Sequence, residues 1–156
     1  MKTTVIFSLM KKSKSIILTR FEDEQWCTDG YGAYNISSLP EFEPQQFLTA
    51  IGVEESKKDD YKVNFSEAPM AVIKGRDIGY EDKDLDRSKM LIGINGKIYE
   101  PFIAFGRVLL LDIRYLKPLE GMEYILLCRH DHRDGSNAII AKAGFFTMAV
   151  IMPRYL

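Results

Sequence analysis

Apolar residues along this chain fall in short alternating or continuous runs divided by polar clusters, and that rhythm predicts a protein built mostly of strands. Thr3 to Met10 and Ser15 to Phe21 are rich in β-branched and aromatic residues, so two strands joined by a polar Lys11-Lys12-Ser13-Lys14 turn are expected. Glu22-Asp23-Glu24 supplies another turn before a strand over Gln25 to Thr28, giving an antiparallel meander. Pro40 to Gly52 breaks the rhythm. Phe42, Phe47, Leu48 and Ile51 recur near helical spacing, Pro44 suits a first helical turn and Gly52 suits the position just past an end, so a short helix is predicted over Pro44 to Ile51. Glu54 to Asp60 reads as a charged loop or helix extension, and Tyr61 to Phe65 alternates as a strand.

The second half opens on Leu91-Ile92-Gly93-Ile94-Asn95-Gly96-Lys97-Ile98-Tyr99, in which Asn95-Gly96 supplies the two positive-φ positions of a type I′ hairpin turn. Val108-Leu109-Leu110-Leu111 leaves no polar face and predicts a buried strand over Gly106 to Leu111. Asp112 to Leu119 suits one helical turn, with Asp112 as its N-cap and Pro118 near its stop. Met122 to Cys128, Ala138 to Ala143 and Phe145 to Met152 complete a second meander, with turns at Asp134-Gly135-Ser136-Asn137 and at Gly144. Between the halves, 74–89 is dense in charge and carries Gly75 and Gly79, so it reads as a flexible, solvated crossing. The expected fold class is therefore α+β: mostly antiparallel sheet, one or two short helices, and a strand-helix-strand order given twice. The expected domain organisation is a single domain over 1–156, with halves of roughly 1–73 and 90–156 joined by the crossing.

Composition narrows the function classes. A formal net charge of −1 gives no whole-molecule field to draw the chain onto DNA or an anionic membrane. The longest apolar tract, Ala138 to Met152, is broken by Lys142, Gly144 and Thr147, short of the ~20 residues of a spanning helix. The opening residues lack the apolar core of a signal peptide, so a cytoplasmic protein with no membrane partner is expected. Cys27 and Cys128 sit in apolar runs without metal or redox spacing, and read as buried free thiols.

Candidate chemistry is sparse. Cys128-Arg129-His130-Asp131-His132-Arg133-Asp134 holds both histidines, and His130 and His132 at alternate positions of a strand would face one way, as two ligands of a metal site do. Surrounded by Arg129, Arg133 and Asp134-Gly135, they read first as a polar hairpin tip. Asp82, Asp84 and Asp86 alternate as in a calcium loop, but the glycine and the closing glutamate of that loop are missing. No glycine-rich phosphate loop and no nucleophile elbow occurs. The expectation is a non-enzymatic protein without a cofactor. Phe145 and Phe146, adjacent in a strand, should point to opposite faces; a base-stacking surface would need such aromatics exposed beside cations. Lys11, Lys12, Lys14 and Arg20 form the one basic cluster and suit a solvated turn and edge strand.

Two segments at opposite ends of the chain read as strands that stop at a turn or a proline: Thr28-Asp29-Gly30-Tyr31-Gly32-Ala33 and Val150-Ile151-Met152-Pro153-Arg154-Tyr155-Leu156. The pair resembles the segments that line the partner-peptide groove of bacterial DNA sliding clamps. Tyr31 and Gly32 stand where that family has His-Arg, and the family draws its two segments from neighbouring domains of a three-domain chain. The resemblance implies a peptide-binding groove formed by Thr28, Gly30, Tyr31, Val150, Met152 and Pro153, a protein partner, and a clamp-like replication accessory of a mobile element. Such a clamp would encircle double-stranded DNA as a homo-oligomer joined through edge strands. Two other readings are a small protein-interaction inhibitor or adaptor without DNA binding, and a metal-dependent enzyme using His130 and His132.

Overall fold

The computed structural model describes residues 1–66, 82–130 and 135–156. The chain folds as α+β, with few short helices and mostly antiparallel sheet. Helix α1 (Thr3–Ser13) leads into strands β1 (Ser15–Phe21), β2 (Glu24–Thr28) and β3 (Gly32–Asn35), then helix α2 (Pro44–Ala50), a 3-10 turn (Glu55–Asp60) and β4 (Lys62–Ser66). From residue 82 onward come β5 (Lys83–Asp84), β6 (Ile92–Ile94), β7 (Lys97–Ala104) and β8 (Arg107–Asp112), then two 3-10 turns (Ile113–Tyr115 and Lys117–Leu119). The chain closes with β9 (Ile125–His130), β10 (Asn137–Ala143), β11 (Phe146–Ile151) and β12 (Arg154–Tyr155).

These strands form an eight-stranded sheet, ordered β4-β1-β2-β3-β11-β10-β9-β5, and a four-stranded sheet, ordered β12-β8-β7-β6. Among the described residues only β1 and β4 pair in parallel. The seam of the large sheet is β3 against β11, where Gly32, Ala33 and Tyr34 face Ile151, Val150 and Ala149. One apolar core spans both halves, from Ile6 and Met10 through Phe47, Phe102, Leu109 and Leu111 to Ile139 and Ile151. Pro153 has no N–H to donate, so pairing along β11 stops before it and the chain passes from the large sheet into the small one as β12.

Several local expectations hold. Pro44 opens α2 with Phe47 and Leu48 buried, and Gly52 follows its end at φ +77°. A capping box in which Glu43 and Gln46 exchange side-chain bonds with each other's backbone starts that helix. Asn95 and Gly96, at φ 49° and 73°, turn β6 into β7. The Asp112 carboxylate caps the turn behind it by accepting from the Arg114 N–H at 3.1 Å. Both cysteines are buried free thiols.

Others are corrected. Residues 3–10 are helical, not a strand, and Lys11 to Ser13 continue that helix. Ile6 and Met10 are buried while Thr4, Ser8, Lys11 and Lys12 are exposed, a spacing that one face of a helix satisfies and an alternating strand cannot. Burying two such side chains stabilises by about 1.5–3 kcal/mol each, which outweighs the weak propensity of Thr3, Thr4 and Val5. Pro118 lies inside a second 3-10 turn rather than ending the first. Phe145 and Phe146 are both exposed, because β11 begins only at Phe146 and Phe145 belongs to the turn. No helix among the described residues is long and apolar enough to cross a membrane.

Over its described residues, 82–89, the charged crossing is mostly exposed, as expected, but it is fastened to the fold at several points rather than free. Asp82 and Arg129, 8% and 12% exposed, form a two-pronged ion pair at 2.9 and 2.7 Å. β5 pairs with β9, Leu85 is buried, and its N–H donates to the Leu126 carbonyl at 2.8 Å. Arg87 grips the fully buried carboxylate of Glu100 on β7. Arg129, read as part of a polar tip, is therefore held by a carboxylate from the crossing. His130 ends β9 with Nδ1 2.8 Å from Asn137 Oδ1 and its ring 5.4 Å from that of Phe105. Phe105 itself holds φ at 51°, unusual for an aromatic, and lies under Lys83 Nζ at 4.8 Å. His132, Asp131, Arg133 and 74–81 of the crossing lie outside the described residues.

Candidate binding groove

The reversal between β2 and β3 is built by side chains acting on the backbone. Thr28 Oγ1 accepts from the Gly30 N–H at 3.0 Å, and Asp29 Oδ1 accepts from the N–H groups of Tyr31 at 3.0 Å and Gly32 at 2.9 Å. Gly30 sits at φ +90°, which a side chain would strain. The second Asp29 oxygen accepts from the Tyr115 hydroxyl at 2.9 Å, and the Tyr34 hydroxyl donates to the Tyr115 carbonyl at 2.9 Å. Gly32 is required by contact rather than by φ. A Cβ there would lie 2.6 Å from a ring carbon of Tyr115.

Burial, followed by the neighbouring Asp29 charge, raises the phenols of Tyr34 and Tyr115, so both remain protonated donors at neutral pH. The same two causes raise the Cys27 thiol, and burial pushes Cys128 up to about 11, which leaves neither suited to nucleophilic chemistry.

The terminal segment meets this reversal directly. Below the β3–β11 ladder the Met152 N–H donates to the Tyr31 carbonyl at 2.8 Å. The structure thus brings Thr28, Gly30 and Tyr31 beside Val150, Met152 and Pro153. It does not expose them equally. Tyr31 is 56% exposed and Gly30 is exposed, Met152 and Pro153 are half-buried, and Thr28 and Val150 are buried. Val150 packs with Trp26, Ala33 and Ala138, with Met152 against the cluster. Of the six, Tyr31 and Met152 line the pocket described next, while Thr28, Gly30, Val150 and Pro153 do not.

Between Tyr31, Met152 and the outer face of the small sheet lies a pocket of ≈ 80 Å³ lined also by Lys97, Tyr99, Leu110, Asp112, Arg114, Tyr115 and Arg154. Arg114 is matched by Asp112 through bonds of 3.0 and 3.1 Å from Nε and 2.6 Å from Nη2. Lys97 and Arg154 have no hydrogen-bond or ion-pair partner among the described residues. Sequence reasoning missed these two cations. The one signal was their position, Lys97 just after the Asn95-Gly96 turn and Arg154 just after Pro153.

A larger hollow of ≈ 570 Å³ opens at the other end of the same strands, lined by Met1, Asp23, Glu24, Ser37, Leu39 and Phe146 among others. Glu24 there accepts from Trp26 Nε1 at 2.9 Å, and Ser37 is committed to Asn35 and Gln25. Among the described residues Asp23 is the unmatched carboxylate of the larger hollow, whereas the smaller pocket sets two unmatched cations beside Tyr31 and Met152, and that combination favours it as a site. Among the described residues no three His, Cys, Asp or Glu side chains converge as a metal site would require. No protein-family model, no curated protein and no solved structure matches this chain.

Proposed function

We propose that this chain is a non-enzymatic binding protein that receives an extended segment of a protein partner in the groove between Tyr31, Met152 and the small sheet. The observation that carries this reading is the Met152-to-Tyr31 hydrogen bond, which joins the β2–β3 reversal to the segment after β11, with an exposed phenol and a half-buried thioether lining one pocket. Aromatic and methionine side chains at a concave site suit an apolar peptide residue, since both offer large contact area and methionine adapts its shape. The raised, buried thiols and the hydrogen-bonded His130 support a reading without catalysis. Selection of a random peptide library on wild-type protein and on Tyr31→Ala/Met152→Ala tests it. Peptides retained by the first and lost by the second are expected; equal retention removes the groove.

A second reading, a clamp-like ring around duplex DNA, draws support from β4 and β5, the outer strands of the large sheet among the described residues, through which neighbouring copies would join. It requires a closed oligomer and salt-sensitive retention on DNA. A strict monomer that ignores DNA leaves the adaptor form of the function.

A further inference from the structure

Cross-strand pairing fixes what the outer face of the small sheet presents. Tyr99 lies opposite Asp112, Pro101 opposite Leu110 and Ile103 opposite Val108, so the six share one face and the intervening residues turn to the core. One end of that face is the cationic pocket. There Lys97 and Arg154 are unmatched, and the hydroxyl of Tyr99, a residue only 2% exposed, makes no hydrogen bond among the described residues. Tyr99 lines the pocket, and with no protein partner among the described residues its hydroxyl has a donor to spare for an incoming oxygen. At the other end Ile103 and Val108 are 80% and 39% exposed, an apolar pair on an otherwise covered face.

We propose that this face selects peptides bearing an acidic side chain, whose carboxylate enters the pocket between Lys97 and Arg154 and accepts from Tyr99, while an apolar residue about four positions away seats on Ile103 and Val108. The spacing follows from the strand: Tyr99 and Ile103 are separated by roughly 13 Å of extended backbone, which an extended ligand matches residue for residue. The charge follows from the rim. Three cations face one carboxylate, Asp112, which is already spent on Arg114. A planar monoanion meets the two free cations with less repulsion from Asp112 than a dianionic phosphate would. This inference rests on the groove reading above and adds the chemistry of its ligand.

The test is a phage-displayed random dodecapeptide library selected in parallel on wild-type protein, on Tyr31→Ala/Met152→Ala and on Lys97→Gln/Arg154→Gln, with thermal melts to confirm that all three are folded. Wild-type binders should carry Asp or Glu with an apolar residue about four positions away. A synthetic binder should lose about tenfold in affinity when its acid becomes the amide, and Lys97→Gln/Arg154→Gln should bind the acid and amide forms alike. The acid-against-amide comparison on wild-type protein needs no variant to fold. Binders that depend on Tyr31 and Met152 yet hold equally well as acid or amide overturn the acidic selectivity and leave the groove standing. Binders indifferent to Tyr31 and Met152, or a library from which nothing is retained, overturn both.

Discussion

The β3–β11 seam and the charged segment 82–89 are secured by opposite means. At the seam, main-chain bonds between Gly32–Tyr34 and Ala149–Ile151 close the sheet, and a single carboxylate, Asp29, serves three neutral donors. Along 82–89, ladder pairing covers Lys83 and Asp84 and the Leu85 N–H adds one backbone bond, while buried Leu85 and two ion pairs that are wholly or partly buried supply the side-chain anchors. Losing one side chain at the seam leaves the ladder intact. Losing one partner along the segment strands a charge inside the protein. Stability that rests on backbone pairing therefore degrades gradually, while stability that rests on buried charge fails by whole pairs.

Arg87→Ala should show the larger penalty. It leaves the Glu100 carboxylate, fully buried, with no guanidinium, and the expected loss is about 3 kcal/mol in urea unfolding, the lower end for a broken buried pair because Arg87 is itself half-exposed. A loss below about 1 kcal/mol, the level of a surface pair, would mean that water reaches Glu100 and that the two regions do not differ in kind. Gly32→Ala probes the seam by overpacking. Its Cβ would fall 2.6 Å from the Tyr115 ring, and about 2 kcal/mol is expected, with Tyr115 displaced from Asp29. A neutral result would show that the ring swings aside freely and that Asp29 does not need it.

The same contrast explains what could be read from the sequence. Asn95-Gly96, Pro44 with Gly52, and Asp112 each dictate a local backbone geometry, and each element formed where its residues indicated. The seam segments could be singled out because a turn after Thr28 and a proline after Met152 mark strand ends, and strand ends are local facts. The charged segment could not be read in that way. Arg87 and Glu100 are 13 residues apart and Asp82 and Arg129 are 47 apart, so nothing in their neighbourhood distinguishes a pairing charge from a solvated one. Lys97 and Arg154 escaped for the same reason, since β12 joins β8 only through the sheet switch at Pro153. In α1 the spacing of Ile6 and Met10 did carry the answer, but β-branched composition pointed to a strand.

Tyr115→Phe gives the smallest effect and the finest view of the seam. Removing the hydroxyl leaves the ring against Gly32 and frees one Asp29 oxygen, so about 1 kcal/mol should be lost at neutral pH. The pH dependence separates this bond from simple packing. The folded protein holds the Tyr115 phenol above its ordinary value, first by burial and then by the Asp29 charge, whereas in the unfolded chain it titrates near its ordinary value of about 10. Below pH ~10 both states keep the proton and the contribution of the phenol is fully present. Above it the unfolded chain releases a proton that the fold retains, so wild-type stability falls as pH rises. Tyr115→Phe has no such proton to release, and its stability should fall less steeply between pH ~9 and ~11, narrowing its deficit against wild type. Parallel curves across that range would place the Tyr115 hydroxyl in water rather than on Asp29, and the seam would then stand on its backbone ladder alone.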